Sequence, residues 1–175
     1  MTPGKTPGKT PGKTPGKTPG KTPGEARTAA ALAEAGIDHT IVRHGPVTSL
    51  AEAAEARGVT PDRVIKTLVV RRGDDDYLFV LVPGDRQIAW PKLRALLGVK
   101  RLSMPNAETA REVTGYERGT ITPFGSLNPW PVVADARVDE TVSIGGGAHG
   151  VSATVAAADL IRVLNADIAD VTDPL

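Results

Sequence analysis

Two apolar runs separated by a short polar turn constrain the fold of this chain more than any other feature of the sequence. Residues 64–72 and 77–82 are rich in Val, Leu, Ile and aromatic side chains, and Gly-Asp-Asp-Asp stands between them at residues 73–76. Such residues favour strands, and a short glycine-containing turn favours direct antiparallel pairing. The pattern therefore predicts a β-hairpin, around which the other elements must be arranged.

The first strand of this hairpin contains one lysine, Lys66, in an otherwise almost wholly apolar stretch. An ammonium group at such a position is costly unless an anion or a set of carbonyl groups receives it. Lysine on an edge strand also discourages pairing with other chains. The residue pattern leaves both interpretations open: a binding group, or a charge that protects a sheet edge.

The other predicted elements do not alternate strictly between helix and strand. Capping residues and apolar spacing predict helices at residues 25–35, 49–57, 90–97, 106–114 and 157–165. Strands are predicted at residues 38–43, 100–103, 131–134, 141–144, 151–155 and 167–171. Neighbouring strands with interspersed helices favour an α+β fold with a mixed, curved sheet over a Rossmann fold.

A glycine-rich loop follows the fourth predicted helix. Residues 115–125 read Gly-Tyr-Glu-Arg-Gly-Thr-Ile-Thr-Pro-Phe-Gly. Three glycines and a proline in eleven residues favour a backbone shaped for close approach, which is able to aim N–H groups at a ligand. A purely structural turn is the alternative. With Lys66, this loop forms the candidate site.

The first 24 residues differ in composition from the rest of the chain. They consist of Met1, five copies of Thr-Pro-Gly-Lys and a final Thr-Pro-Gly, a pattern that predicts a disordered tail, either a tether or a cationic arm. No apolar run suggests a signal peptide or a membrane span. Residues 25–175 have the length of a single domain.

Charge and cysteine content narrow the function classes. Five of the 21 basic residues lie in the tail, so residues 25–175 hold 16 basic and 20 acidic residues, a net charge near −4. That balance excludes a broad nucleic-acid-coating surface and favours holding one nucleic-acid end in a pocket.

The chain has no cysteine, which excludes disulfides, thiolate metal sites and a cysteine nucleophile, and favours the cytoplasm.

The remaining candidate site residues are histidines and a second glycine-containing turn. The three histidines have no zinc-site spacing, and no G-x-S-x-G elbow is present. His44 and His149 lie in Gly- or Pro-containing turns, where a pocket role is plausible. Residues 145–150 satisfy G-x-G-x-x-G, but a β-branched strand follows, so a hairpin turn is favoured over a dinucleotide site.

Several short motifs occur in a characteristic order between residues 37 and 165: His-Gly-Pro-Val-Thr at 44–48, Ile-Lys-Thr-Leu-Val at 65–69, Val-Pro-Gly-Asp at 82–85, Gly-Tyr at 115–116, Gly-Thr-Ile-Thr-Pro-Phe-Gly at 119–125, Val-Val-Ala-Asp at 132–135 and the Gly145 turn. In this order they resemble the YbaK/EbsC family. That family includes free-standing Cys-tRNA(Pro) and Ala-tRNA(Pro) deacylases and the editing domain inserted in bacterial prolyl-tRNA synthetases. The most specific part is Lys66 with Gly119-x-x-x-Pro123.

This resemblance implies a fold and a reaction. The fold is the YbaK-type α+β domain, with a strongly curved, barrel-like mixed sheet surrounded by helices. The reaction is hydrolysis of mischarged aminoacyl-tRNA, with tRNA(Pro) carrying Cys or Ala as substrate. No cofactor, metal or membrane is implied, and prolyl-tRNA synthetase is an implied partner. A non-catalytic module that binds aminoacyl-tRNA or a synthetase is the alternative.

The resemblance also implies roles for particular residues. Lys66 holds the terminal adenosine phosphate or the acyl carbonyl, and the backbone around Gly119, Pro123 and Gly125 positions the ester. The free ribose hydroxyl of the substrate positions or activates the water. Substrate-binding positions are implied at His44, Thr67, Phe124, Gly146 and His149. Arg118, Thr120 and Thr122 depart from the family's usual glycine and serine, which bears on acyl specificity.

Overall fold

The computed structural model describes residues 22–175, which form five α-helices, one short 3₁₀ helix and nine strands. The helices are α1 (Pro23–Ala35), α2 (Leu50–Arg57), α3 (Trp90–Leu97), α4 (Ala107–Thr114) and α5 (Ala157–Leu164), with the 3₁₀ helix at Pro61–Arg63. The strands are β1 (His39–Arg43), β2 (Ile65–Gly73), β3 (Asp76–Pro83), β4 (Arg86–Ile88), β5 (Val132–Asp135), β6 (Thr141–Gly145), β7 (Val151–Ala156), β8 (Asp167–Ala169) and β9 (Thr172–Pro174).

The predicted central hairpin is confirmed. Strands β2 and β3 pair antiparallel, with Lys66 opposite Val82 and Leu68 opposite Val80. They belong to a four-stranded sheet in the order β2-β3-β5-β8, in which β5 runs parallel to both of its neighbours. The sheet is therefore mixed, as predicted, and β2 is its edge strand.

The mixed α+β class is confirmed, but the barrel-like closure of the sheet is not found. Among residues 22–175 the strands divide into three open sheets: the four-stranded one, an antiparallel β1-β7-β6 sheet and the β4-β9 pair. Among the described residues one bridge, between Val64 just ahead of β2 and Ser143 of β6, joins these two sheets. Beyond it, the carbonyl of Ile121 in the glycine-rich loop lies against Gly145, and the edge of β2 stays open.

Two hydrophobic clusters lie on opposite faces of the four-stranded sheet. Alternate residues of β3 serve both, because successive side chains of a strand point to opposite faces. Phe79 joins Leu32 of α1 and Leu160 of α5 in the larger cluster. Val80 joins Leu93 of α3 in the smaller one. Strand β3 is thus buried on both faces and holds β2 rigidly at the edge.

Three details differ from the sequence predictions. Helix α1 begins at Pro23 with the Thr22 hydroxyl accepting from the Glu25 amide, so the predicted tail is wrong for residues 22–24, and its remainder, residues 1–21, lies outside the described residues. The predicted strand at 100–103 is reduced to one bridge, between Ser103 and Arg71. Strands β4 and β9 were not predicted, because three-residue strands carry too little periodicity.

The histidine-containing glycine turn is a hairpin, as predicted. Strands β6 and β7 pair antiparallel on either side of it, with Gly145 opposite Ser152. Within residues 22–175 no helix has the length and apolar character needed to cross a membrane.

Candidate functional site

A cavity of about 320 Å³ lies along the open edge of β2. Its walls come from β2 itself, from Met104 and Pro105 ahead of α4, and from the glycine-rich loop at Arg118, Gly119 and Ile121. Lys66, Thr67 and Gly119 all line it. The structure therefore brings together the two parts of the predicted site, the lysine of the hairpin and the first glycine of the G-x-x-x-P motif.

The open edge of β2 supplies backbone hydrogen-bonding groups. Arg71 and Ser103 exchange two backbone hydrogen bonds, of 2.7 and 3.1 Å, which shows that the peptide groups of Arg71 point away from β3. In an antiparallel ladder this orientation alternates, so the N–H and C=O groups of Thr67 and Val69 also point away from β3. One wall of the cavity thus presents backbone donors and acceptors in a row.

Lys66 is half-buried, and a backbone carbonyl receives its charge. Its ammonium donates a 2.5 Å hydrogen bond to the carbonyl oxygen of Arg86. Burial lowers the pKa of the Lys66 ammonium, while the negative charge of Asp85 raises it. An ammonium has three donors, so this contact leaves two for another acceptor. The position of Lys66 on the edge strand is compatible with both interpretations of this lysine, a binding group or a charge that protects a sheet edge.

Gly119 forms the part of the loop that faces the cavity. Its φ of 90° lies in the left-handed region that favours glycine. The turn is tightened by Thr120, whose amide and hydroxyl both donate to the Glu117 carbonyl, at 2.9 and 2.8 Å. Within residues 22–175 the amide of Gly119 has no hydrogen-bond acceptor. Gly119 therefore offers a free backbone donor in a rigid turn.

The two ends of the loop are anchored to α1 and lie outside the cavity lining. Arg27 donates to the carbonyls of Gly125 at 3.0 Å and Gly115 at 2.7 Å, and the Tyr116 hydroxyl donates to the Phe124 carbonyl at 2.5 Å. A Cβ atom at Gly125 would lie 2.6 Å from the Arg27 carbonyl oxygen. The aromatic ring of Phe124 is buried in the larger core cluster. These contacts hold the loop in place. Pro123, between Gly119 and Gly125, is half-buried.

The predicted substrate-binding residues are divided between the cavity and other places. Thr67 lines the cavity, and its buried hydroxyl has no partner within the described residues. His149 lies beside Gly119, with its Cε1 atom 3.5 Å from the position that a Cβ of Gly119 would take, and its ring lies 3.4 Å from Glu117. Both residues are thus close to the loop, Thr67 inside the cavity and His149 behind it.

His44 and Gly146 lie away from this cavity. The Nδ1 atom of His44 contacts the Gly45 carbonyl at 2.8 Å. Gly146 lines a different pocket, beside Glu25 and Arg43, and a Cβ atom there would lie 2.7 Å from Val151. The structure gives both residues local structural contacts and does not bring them to Lys66.

Sequence reasoning missed a charged cavity residue, Arg57. It ends α2, and within the described residues its guanidinium makes one long hydrogen bond, of 3.4 Å, to the Ser143 hydroxyl. Its Nε is buried without a partner within residues 22–175, and burial lowers the pKa of the guanidinium. The only signal in the sequence was an arginine before Gly58, which is also what an ordinary helix C-terminus contains.

The cavity has a cationic character and no acidic lining. Arg57, Lys66 and Arg118 line it, and no Asp, Glu or His of the described part of the chain does. Among residues 22–175 no three His, Asp or Glu side chains are grouped as metal ligands would be. The arrangement suits an anionic or carbonyl-bearing ligand that supplies its own reactive group.

Comparison with known proteins identifies a family that matches this chain. The family model described as the aminoacyl-tRNA editing domain matches residues 44–163, a range that includes Lys66 and the whole glycine-rich loop. A proline–tRNA ligase of Thermosipho melanesiensis is 39% identical over 93 residues, which cover 53% of this chain and 16% of the ligase. The chain thus corresponds to a small part of that enzyme.

Two free-standing proteins match over more of their length. EbsC of Enterococcus faecalis, provisionally named a Cys-tRNA(Pro)/Cys-tRNA(Cys) deacylase, is 25% identical over 126 residues, covering 71% of this chain and 77% of EbsC. A crystal structure provisionally described as a trans-editing enzyme for prolyl-tRNA synthetase has a TM-score of 0.79 at 25% identity, covering 87% of this chain and 99% of the other.

Proposed function

The chain belongs to the aminoacyl-tRNA editing domain family, and from this membership we propose that it hydrolyses the ester bond of mischarged aminoacyl-tRNA. The match agrees with the family resemblance predicted from the motifs around Lys66 and Gly119. The observation that carries the proposal is the single cavity that both residues line. A deacylase needs to hold an anionic tRNA end and an ester carbonyl together, and this cavity has groups for both.

The proposed chemistry uses charge and backbone donors in place of a nucleophile. Lys66 and the neighbouring arginines hold the terminal phosphate or the acyl carbonyl. The free amide of Gly119 stabilises the negative charge that develops on the carbonyl oxygen when water attacks, which is how preorganised backbone donors accelerate acyl transfer. The family resemblance assigns the positioning or activation of the attacking water to the free ribose hydroxyl of the substrate, and a cavity that no carboxylate or histidine among residues 22–175 lines is compatible with that role.

The relatives suggest the substrate. EbsC is named for Cys-tRNA(Pro) and Cys-tRNA(Cys), and the matching ligases are named for proline. We therefore propose tRNA(Pro) carrying Cys or Ala as substrate, the cytoplasm as location and prolyl-tRNA synthetase as partner.

One observation favours a second candidate function. Within the described residues the cavity has no general base of its own, which is also expected of a module that binds aminoacyl-tRNA without cleaving it. Such a module would protect the ester and bind the charged tRNA saturably.

The test is a panel of mischarged tRNAs assayed at single turnover. We expect release of the amino acid from Cys- or Ala-tRNA(Pro) well above spontaneous hydrolysis, and no release from Pro-tRNA(Pro). Retention of every ester, together with saturable binding of the charged tRNAs, would contradict the hydrolase and support the binding module.

A further inference from the structure

Three exposed or half-exposed cations of this acidic domain have no carboxylate partner. Arg94, Lys100 and Arg101 make no ion pair within residues 22–175. Several other surface cations are paired: Lys92, for example, lies 3.1 Å from Asp170, and Arg162 lies 2.9 Å from Asp159. With 20 acidic against 16 basic residues in the body, unpaired cations grouped in one place need an explanation other than overall charge balance.

These cations line a groove of about 400 Å³ at the far end of β2. Arg71 and Arg72 form its other side, but they are paired with Asp74 and Asp76 of the hairpin turn. The net positive charge of the groove therefore comes from the three unpaired cations, and the acidic turn marks its limit.

The groove and the Lys66 cavity are neighbours along β2. The backbone bridge between Arg71 and Ser103 closes the groove, and the next residue, Met104, lines the cavity. Met104 keeps 46% of its surface exposed. Met104 therefore offers an exposed apolar surface for a base between a cationic groove and a cationic cavity, and a positively charged groove that follows the backbone is a common feature of single-strand binding.

We infer that the 3′-terminal single strand of a tRNA lies along this groove, with its phosphates at Arg94, Lys100 and Arg101 and its last nucleotide in the cavity. This inference rests on the proposed function. The stretch of β2 from Thr67 in the cavity wall to Arg71 in the groove wall spans about 13 Å at roughly 3.3 Å per residue, so a short single strand is long enough to reach both.

Phosphate contacts in such a path position the strand without reading its sequence. They should act on binding of the whole tRNA and leave the chemical step unchanged. The groove residues lie outside the cavity lining, so their removal does not alter the proposed catalytic groups.

The test compares the double variant Lys100→Ala/Arg101→Ala with a control, Arg162→Ala, which removes a paired surface arginine. On mischarged tRNA we expect KM of the double variant to rise about tenfold with kcat unchanged. The slope of log affinity against log salt should become shallower by about 0.7 for each phosphate that the variant no longer neutralises. On the 3′-aminoacyl ester of adenosine, which lacks upstream phosphates, the variant should equal the wild type.

Several results would overturn the inference. Unchanged KM and salt slope on full tRNA would do so, as would an equal loss of activity on the adenosine ester with an unchanged unfolding midpoint, because lost contacts to upstream phosphates do not affect a substrate that lacks them. A loss of synthetase binding with tRNA binding intact would assign the groove to a protein partner instead. Affinity for uncharged tRNA, measured by filter binding, tests the groove without any hydrolysis. If the wild-type protein cleaves no ester but binds uncharged tRNA through the groove, the proposed function is refuted and the inference about the groove is not.

Discussion

The Asp135 network and the Lys66 cavity both remove charged groups from water, but they satisfy them differently. Asp135 is fully buried and accepts hydrogen bonds from the Val171 amide at 3.1 Å and the Thr172 hydroxyl at 2.9 Å, while Arg137 pairs with it at 3.2 Å. In the cavity, the partners within residues 22–175 are one carbonyl for Lys66 and one distant hydroxyl for Arg57. The fold satisfies the charge of the first region fully and the charges of the second only in part.

This difference separates structural charges from candidate functional ones. A buried charge is costly unless it is paired and hydrogen-bonded, and Asp135 meets that condition entirely within the fold. Arg57 does not, since its buried Nε has no acceptor among residues 22–175. A substitution in the first region should therefore reduce stability, whereas one in the cavity should reduce activity and leave stability unchanged or higher.

The largest expected effect on stability is that of Asp135→Ala. The change leaves the buried Val171 amide and Thr172 hydroxyl without their acceptor, at a cost of roughly 1–3 kcal/mol each, so the free energy of unfolding should fall by about 2–6 kcal/mol. Urea unfolding measures it. The control is Asp170→Ala, which removes an exposed carboxylate that also contacts Arg137 and should shift the midpoint far less. Equal shifts for the two variants would show that the buried network is not what stabilises this region.

Arg57→Gln is expected to have a smaller effect on stability than Asp135→Ala, with no loss of stability. Removing an unpaired buried cation should leave the unfolding midpoint unchanged or slightly higher, because burial disfavours the charge that is removed. The KM for mischarged tRNA should rise about tenfold, equivalent to about 1.4 kcal/mol of binding, while Arg162→Gln leaves it unchanged. A stability loss with unchanged KM would place Arg57 in the structural class with Asp135.

Much of the fold follows from local patterns in the sequence. The β2–β3 hairpin, the β6–β7 hairpin and the glycine-terminated helices were predictable because turn residues and strand residues agree over several positions. The extent of sheet closure was not predictable, because it depends on where the loop residue Ile121 packs against Gly145. The predicted strand before α4 fails for a related reason: only Ser103 finds a partner in Arg71.

The candidate site was predictable only in part. Lys66 and Gly119 were identified, since a charge within an apolar strand and a glycine in a proline-containing loop are unusual locally. The three glycines of the loop look alike in the sequence, yet Gly119 in the middle faces the cavity, while Gly115 and Gly125 at the ends contact Arg27 of α1. Arg57 is distant in sequence from Gly119 and lies on a separate helix, so only the three-dimensional arrangement brings it to the cavity.

The most direct test of the account is single-turnover deacylation of mischarged tRNA(Pro) by Lys66→Ala, with Lys92→Ala as the matched control. Lys92 is an exposed lysine already paired with Asp170 and Asp173. If Lys66 and the Gly119 amide act together on the ester, the rate of Lys66→Ala should fall by roughly 10²- to 10³-fold, with the unfolding midpoint unchanged and Lys92→Ala near the wild-type rate. Hydrolysis by Lys66→Ala at close to the wild-type rate would contradict the account.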